Sequence, residues 1–395
     1  MTEQTHLPDD AGVTFRGRLQ RRLRREREAA ARHAIIGAVV SLALVAGLHL
    51  VSSVPGSPAT AQEDATTDED RFRATMVGDV MFGRHVQEVA ERRGHDALLE
   101  DVAPYLEGDY VSGNLEQVIS NDVEELPEAD KLIHLASDDR ALDAMVDAGF
   151  TTVSLANNHG MDHGIPGLRD TIEALEAAGI AHAGGGETLE AAVETDFQEH
   201  DGLTVATLSF TDVFVAGFIA RSFQGGLLEA EPDVFGPLIQ QAQQEADLVI
   251  AHFHWGEEYD LRATGRQREL AEFAAAAGAD IIVGHHPHVL LPVEQIGDAL
   301  VFYSLGNFVF DQGWSRTRES AIAGYRLSED GTATVEMTPI YLREATPRVL
   351  DGPLDVYRRA RVFQRLRGDT LDWERDGISL VAEIDHSHVL DEASP

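Results

Sequence analysis

Several of the seventeen histidines in this 395-residue sequence sit in short polar strings with carboxylates and amides. The strings are Gly78-Asp79, Gly113-Asn114-Leu115-Glu116, Ala156-Asn157-Asn158-His159, His252-Phe253-His254-Trp255, His285-His286-Pro287-His288 and Gly306-Asn307. Carboxylate, imidazole and amide oxygen together suit a hard-to-borderline divalent cation. Two such ions about 3.5–4 Å apart can activate water and clamp both oxygens of an in-line displacement at phosphorus. On an extended segment, residues two apart face the same way, so His286 and His288 are expected to reach one ion or a close pair. Several imidazoles buried side by side need several partners, so Gly-His-His-Pro-His reads as functional. A lone Gly-Asp is a weak signal, and Asn-Asn-His would also suit a turn. His252 either shares a face with His254 or is a satisfied core histidine. His85, His95, His134, His182 and His200 read as ordinary surface or core residues. The chain has no cysteine, which excludes disulfides, thiolate zinc sites and thiol nucleophiles.

Strands are expected over 73–77, 110–112, 152–155, 204–209, 248–253, 280–283 and 300–304. Helical patterns fall between them at 138–148, 167–178, 234–245 and 265–277. Gly179 and Gly278 read as helix stops. Strands alternating with helices of this size predict an α/β fold. In an open α/β sheet, ligands bind outside the carboxyl ends of the strands. The strings fall almost without exception at those ends, so they are expected to converge on one rim. The glycines before Asp79 and Glu116 are expected to let the backbone turn sharply there. Beyond Phe310, runs at 321–327 and 333–342 joined through Ser328-Glu329-Asp330-Gly331 read as a hairpin, and 355–366 as a helix.

The formal net charge is −37. A surface this acidic repels phosphate backbones and argues against nucleic acid as a partner. Residues 1–33 differ, with eight arginines against five acids; the remainder has 23 basic against 63 acidic residues. The uncharged apolar stretch Ala34–Val54 is about the length that spans a bilayer as a helix. The arginines before it place the N-terminus in the cytoplasm. This reads as a single-pass signal anchor with the C-terminal domain outside the cell membrane. Cleavage at the small-residue site near Ala61 is the alternative. The expected organisation is a basic leader (1–33), an anchor (34–54), a disordered linker (55–71), an α/β domain that carries the polar strings (72–345), and a C-terminal helix with an acidic tail (346–395).

The order and spacing of Gly78-Asp79-Val80-Met81-Phe82-Gly83-Arg84, Asn114-Leu115-Glu116, Ala156-Asn157-Asn158-His159 with Asp162 and Gly164, His254-Trp255-Gly256-Glu257-Glu258-Tyr259, His286-Pro287-His288-Val289 and Tyr303 to Gln312 resemble the CapA family of poly-γ-glutamate capsule synthesis proteins. The likeness runs from about residue 74 to 320. That family is similar in fold to calcineurin-like metallophosphoesterases, which implies a sandwich of two sheets flanked by helices. The resemblance makes Asp79 the first metal-binding aspartate and puts Glu116 where a bridging aspartate would sit. It makes Asn158 the amide ligand, His254, His286 and His288 the later histidine ligands, and His159 the catalytic histidine that stabilises the leaving group or transition state. Arg84 and Arg318, beside or within motif strings, suit a phosphate or carboxylate, as does Arg316; all three also suit a solvated surface. Asn114, Asn157 and Asn307 complete the expected substrate contacts. Two departures stand out. The phosphoesterase pattern Asp-x-His has Met81 at its third position here, and Glu116 replaces an aspartate. One ion instead of two, or metal binding without hydrolysis, fits these changes.

The leading expectation is a role in synthesis or export of an anionic cell-surface polymer of poly-γ-glutamate type, with one or two divalent ions (Mn, Fe, Zn or Mg). The polymer or its precursor and membrane polyglutamate synthetase subunits are the expected partners. A metal-dependent phosphoesterase or other hydrolase, and a non-catalytic anchored accessory subunit, are the alternatives.

Overall fold

The computed structural model describes residues 70–314 and 316–390. The expected leader, the anchor at 34–54 and the linker up to residue 69 lie outside the described residues. Among those described, no helix is long and apolar enough to cross a membrane.

The chain opens with β1 (Asp70–Val80) and β2 (Tyr110–Leu115), then a short parallel pair, β3 (Val118–Ile119) and β4 (Ala136–Ser137), then β5 (Thr152–Ser154) and β6 (Ala181–Ala183). A two-stranded ribbon follows from β7 (Gly185–Gly186) and β10 (Gly226–Leu227), with β8 (Asp196–His200) and β9 (Leu203–Thr211) between them in sequence. Next come β11 (Leu248–His254), β12 (Ile281–His285), β13 (Val293–Ile296) and β14 (Ala299–Phe302). The last strands are β15 (Asn307–Val309), β16 (Glu319–Ser328), β17 (Thr332–Arg343), β18 (Thr346–Val349), β19 (Glu374–Asp376) and β20 (Ser379–Asp385).

Two large sheets result. One has the order β19-β20-β17-β16-β1-β2-β5-β6, with β15 beside β1 and β18 beside β17; the other runs β13-β14-β12-β11-β9-β8. The strands β1, β2, β5 and β6 are mutually parallel, as are β9, β11, β12 and β14. The sequence of β11, LVIAHFH, is buried at every position, as expected for a parallel strand covered on both faces.

Side-chain alternation divides the core into three layers. Phe72, Ala74 and Met76 of β1, Val205, Ile250 and Val283 of the second sheet, and Tyr325 of β16 share the cluster between the sheets. The opposite face of the first sheet, through Val77, Val111 and Val153, meets α1 (Arg84–Arg93), α2 (Arg140–Asp147) and α3 (Gly164–Ala178). After the single-turn α4 (Leu189–Ala192), α5 (Pro232–Glu245) and α6 (Gly265–Ala277) cover the second sheet with Phe235, Ile239, Leu270 and Ala274. The architecture is a two-sheet α/β sandwich flanked by helices.

Local chemistry sets the ends of α6. Thr264 Oγ1 accepts from Gln267 N (3.2 Å) while Gln267 Oε1 accepts from Thr264 N (2.9 Å), a reciprocal cap. Gly278, at φ +106°, ends the helix in the left-handed region where a Cβ would be strained. The segment from residue 346, expected as a helix and acidic tail after the domain, does more than that. It holds α7 (Val356–Leu366) and places β18, β19 and β20 in the first sheet. Its Val362, Phe363 and Leu366 join the inter-sheet cluster.

Candidate metal centre

Asp79 is the penultimate residue of β1, next to Asn114 of β2, and Glu116 follows directly at the end of β2. Asn157, Asn158 and His159 follow β5; His254 ends β11; His286 and His288 follow β12. Every one of these positions lies at the carboxyl end of a parallel strand, and the two sheets bring them together. Ligand atoms of Asp79, Glu116 and His254 lie within 4.8 Å of one another, as do those of Glu116, His286 and His288. Glu116 belongs to both sets.

The backbone near Asp79 is set by contact, not by a turn. A Cβ on Gly78 would sit 1.7 Å from the carbonyl oxygen of Gly306, and Asp79 N–H donates to that same oxygen at 3.0 Å. Gly78 and Gly113 lie inside strands and have no positive φ, so the sharp turn expected from them is replaced by close strand approach. The expectation for the histidine pair is also corrected. His286 (φ +93°) and His288 (φ +56°) both lie in the left-handed region, not on an extended segment. Such backbone costs on the order of 1–3 kcal/mol at each residue and persists where its surroundings impose it. The turn around Pro287 still delivers both rings to Glu116.

The amides act as internal tethers. Asn114 Nδ2 donates to Asp79 Oδ1 (2.9 Å) and approaches Glu116 Oε2 and His254 Nδ1, both at 3.3 Å. Asn157 Nδ2 donates to Asn114 Oδ1 (3.0 Å) and Leu115 O (2.9 Å), and its Oδ1 accepts from His159 N (2.9 Å). Asn307 Oδ1 meets His288 Nδ1 at 2.8 Å, while its Nδ2 donates to Gln312 and to Thr317 O. These three asparagines, expected at the substrate, are buried and committed to protein partners. Asn158 differs: it is half-buried, with Oδ1 3.0 Å from His254 Nε2.

Of the expected arginines, Arg84 forms a two-pronged ion pair with Asp311. Arg318 holds its guanidinium 5.9 Å from the Tyr341 ring centroid. Both guanidinia therefore have protein partners.

The electrostatics favour a cation. Burial raises Glu116 well above the ordinary carboxylate range, and the charge of Asp79 raises it further. Burial would raise Asp79 too, but contacts and charge from His285 and His288 outweigh it and hold Asp79 well below that range. Burial pulls His288 down, yet Glu116 and Asp79 push it up to about 9. Burial, with the charge of His288, takes His286 down to about 3. Burial and His286 likewise keep His254 neutral, as metal ligation requires. Asp79 Oδ2, Glu116 Oε1 and His286 Nδ1 are buried without a hydrogen-bond partner. Asp79 Oδ2 does lie 3.1 Å from His288 Nδ1, but that contact is a charge approach, because Nδ1 is aligned with Asn307. Buried carboxylate oxygens without donors are costly unless a cation meets them, and the donor set fits a divalent ion. With Nδ1 on Asn307, His288 turns Nε2 toward Glu116, 3.8 Å from Oε1.

Three contributors went unassigned in the sequence. His285 sits 3.5 Å from Asp79 Oδ1 through Nδ1, and its Nε2 meets His252 Nδ1 at 3.0 Å. His252 in turn approaches Tyr110 OH at 3.4 Å, so it is a partnered core histidine behind the centre. Asp162 and Lys131 flank His159. His159 Nδ1 lies 2.7 Å from Asp162 Oδ2, and Lys131 Nζ reaches Asp162 Oδ1 (2.5 Å), Asn158 O (2.6 Å) and His159 Nδ1 (3.2 Å). Burial lowers His159 despite the neighbouring Asp162. Lys131 is the one lysine in the sequence, and that singularity was its signal. Met81 lies fully buried in the apolar cluster with Phe82 and Val86, and offers no ligand.

A two-sheet α/β sandwich with carboxylates and imidazoles gathered at its strand ends defines a protein with a centre compatible with divalent metal. Residues 73–312 match the family described as bacterial capsule synthesis protein PGA_cap, and the chain belongs to that family. It is 41% identical to "Capsule biosynthesis protein CapA" of Bacillus anthracis over 91% of this chain and 87% of that one. It is 42% identical to "PGA biosynthesis protein CapA" of Bacillus subtilis (strain 168) over 82% and 86%. Among solved structures, the calcineurin-like phosphoesterase YfkN from Bacillus subtilis aligns with 75% of this chain and 97% of its own, at 12% identity and a TM-score of 0.36. That is a distant likeness.

Proposed function

We propose that this protein serves the synthesis or export of a poly-γ-glutamate-type cell-surface polymer, and that it does so through a divalent-metal centre. One observation carries the second half: Glu116 is common to two buried ligand sets. The family and the names of the two CapA relatives support the first half. Asp79, Glu116 and His254 would hold one ion; Glu116, His286 and His288 a second, with Asn158 at the rim. When bound, divalent ions supply charge stabilisation and activate water toward an ester or phosphoester. The protein's own groups then orient the reacting atoms. Asp162 and Lys131 fix His159 through Nδ1, leaving Nε2 as the nitrogen available to the reacting group. This makes a metal-dependent hydrolase the enzymatic reading, with Mn, Fe, Zn or Mg as the ion. The basic leader and apolar stretch at 34–54 support a single-pass anchor with the domain outside the cell, where membrane polyglutamate synthetase subunits would be its partners.

The position of Met81 favours a second reading. With one ligand of the phosphoesterase pattern replaced by an apolar residue, the centre would hold a metal for structure or polymer binding, and the protein would act as an accessory subunit. Complementation separates the two readings from a purely structural role. A His286→Ala/His288→Ala double variant, expressed at the wild-type level in a strain lacking this gene, is expected to lose surface polymer. Normal polymer output from that variant would leave only a scaffold.

A further inference from the structure

The helix α7 and the residue just beyond it carry arginines 358, 359, 361, 365 and 367 in a chain whose charge is −37. Arg361 and Arg365, one turn apart, line a cavity of about 340 Å³ with Leu261, Pro292, Gln364 and Arg367. The carboxylate that faces them is the buried Glu319, whose Oε2 lies 3.2 Å from Arg361 and 2.9 Å from Arg365. Arg358 and Arg316 also act on Glu319, but Arg358 pairs with Asp355 and covers the Tyr341 ring at 4.5 Å. Arg361 and Arg365 therefore share one carboxylate. Arg367 makes no ion pair among the described residues. Burial draws Arg365 below its ordinary value, and repulsion from Arg361 and Arg316 opposes the pull of Glu319. Positive charge is in excess here, on a molecule whose remaining surface would repel a polyanion.

Short stretches of chain join two of the lining residues to the metal centre. Pro292 lies four residues beyond His288, and Leu261 is two residues beyond Tyr259, whose ring is 6.2 Å from that of His288. We propose that this arginine-lined cavity is a second binding site, which takes carboxylates of an anionic oligomer such as a γ-linked glutamate chain. The identity of the ligand rests on the polymer reading above; the cationic character of the site does not. Guanidinium forks match carboxylates two-pronged, and a cavity of this size admits side-chain carboxylates, not a folded partner.

The test is fluorescence anisotropy of a labelled γ-glutamate hexamer with the full-length chain in detergent, titrated against salt. Arg361→Gln/Arg367→Gln is expected to weaken binding at least about ten-fold and to flatten the salt dependence, since fewer counterions are released. Arg361→Lys/Arg367→Lys keeps the charge and is expected to fall between wild type and the glutamine variant. Should the double glutamine variant fail to fold, Arg367→Gln alone, at an exposed position, is expected to lose about three-fold. Arg169→Gln, which removes an exposed guanidinium outside the cavity, is expected to bind the hexamer as wild type does, which ties any loss to the cavity and not to the overall charge. Unchanged affinity in the glutamine variants would overturn the proposal, as would tighter binding of inorganic phosphate than of the hexamer. No hexamer binding by the wild type would overturn it while leaving the complementation result standing.

Discussion

Asn307 shows how a single side chain sets the character of the centre. By accepting from His288 Nδ1 at 2.8 Å, it fixes the tautomer that leaves Nε2 free toward Glu116. Partners of this kind typically affect metal affinity 10–100-fold. Asn307→Ala is expected to keep the fold and to release metal at about 10–100-fold lower chelator concentration, read by competition with a fluorescent chelator. Lys131 has a structural duty as well as a positioning one. Its ammonium, 13% exposed, lies 2.5 Å from a fully buried Asp162. Lys131→Met leaves Asp162 Oδ1 without its cation and is expected to cost about 3 kcal/mol in urea unfolding; a loss below about 0.5 kcal/mol would contradict the buried pair. At this scale the sequence was informative about residue type and less so about role. Asp79, Glu116, His254, His286 and His288 gather as their motifs implied. Asn114, Asn157 and Asn307 turned out to be tethers, because a motif gives spacing along the chain but not the direction in which an amide points.

Among the elements, what matters is how closely strands approach. Gly78→Ala would drive a Cβ into the Gly306 carbonyl, and neither strand end can yield without moving Asp79. That variant is expected to lose about 3 kcal/mol or more together with its metal. Thr264→Ala, which removes only the cap of α6, should cost about 1 kcal/mol and leave metal content intact. Thermal melts with parallel elemental analysis check the pair. The long elements were legible in the sequence for a physical reason: β11 and β12 are continuous apolar runs, and α6 carries both a capping box and a terminal glycine. The helix α1 was not, because Val86, Val89 and Ala90 are its buried residues in an otherwise charged sequence. Nor were β18, β19 and β20. Two of them, β18 and β19, are only four and three residues long, and β19 and β20 carry exposed acids, so they look like a tail until the sheet that receives them is known.

The behaviour of the whole molecule follows from charge and from buried histidines. His386 is buried, its Nδ1 2.9 Å from Tyr325 OH and its Nε2 2.8 Å from Asp298 O. Burial, the largest influence, lowers it from its ordinary value near 6.5. Its contribution is present above about pH 6.5 and lost as pH falls, because the unfolded chain binds the proton first. His388 behaves in the opposite sense. Its hydrogen bond to Asp280 raises it, so its contribution is present below about 6.5 and lost as pH rises through its folded value. His386→Gln is therefore expected to flatten the fall in unfolding free energy between pH 7 and 5, and His388→Gln to remove a loss of unfolding free energy as pH rises above about 6.5. An unchanged slope in both variants would contradict these assignments.

Glu116 stands in two sets of cation ligands, and the proposed centre depends on it. Elemental analysis of the purified full-length chain, beside Glu116→Gln and His286→Ala/His288→Ala, tests this most directly. The predicted result is about one to two equivalents of a divalent metal per wild-type chain, with substoichiometric metal in both variants at unaltered folded content. Wild-type protein that takes up no stoichiometric divalent metal, even after incubation with Mn²⁺ and Zn²⁺, would contradict it.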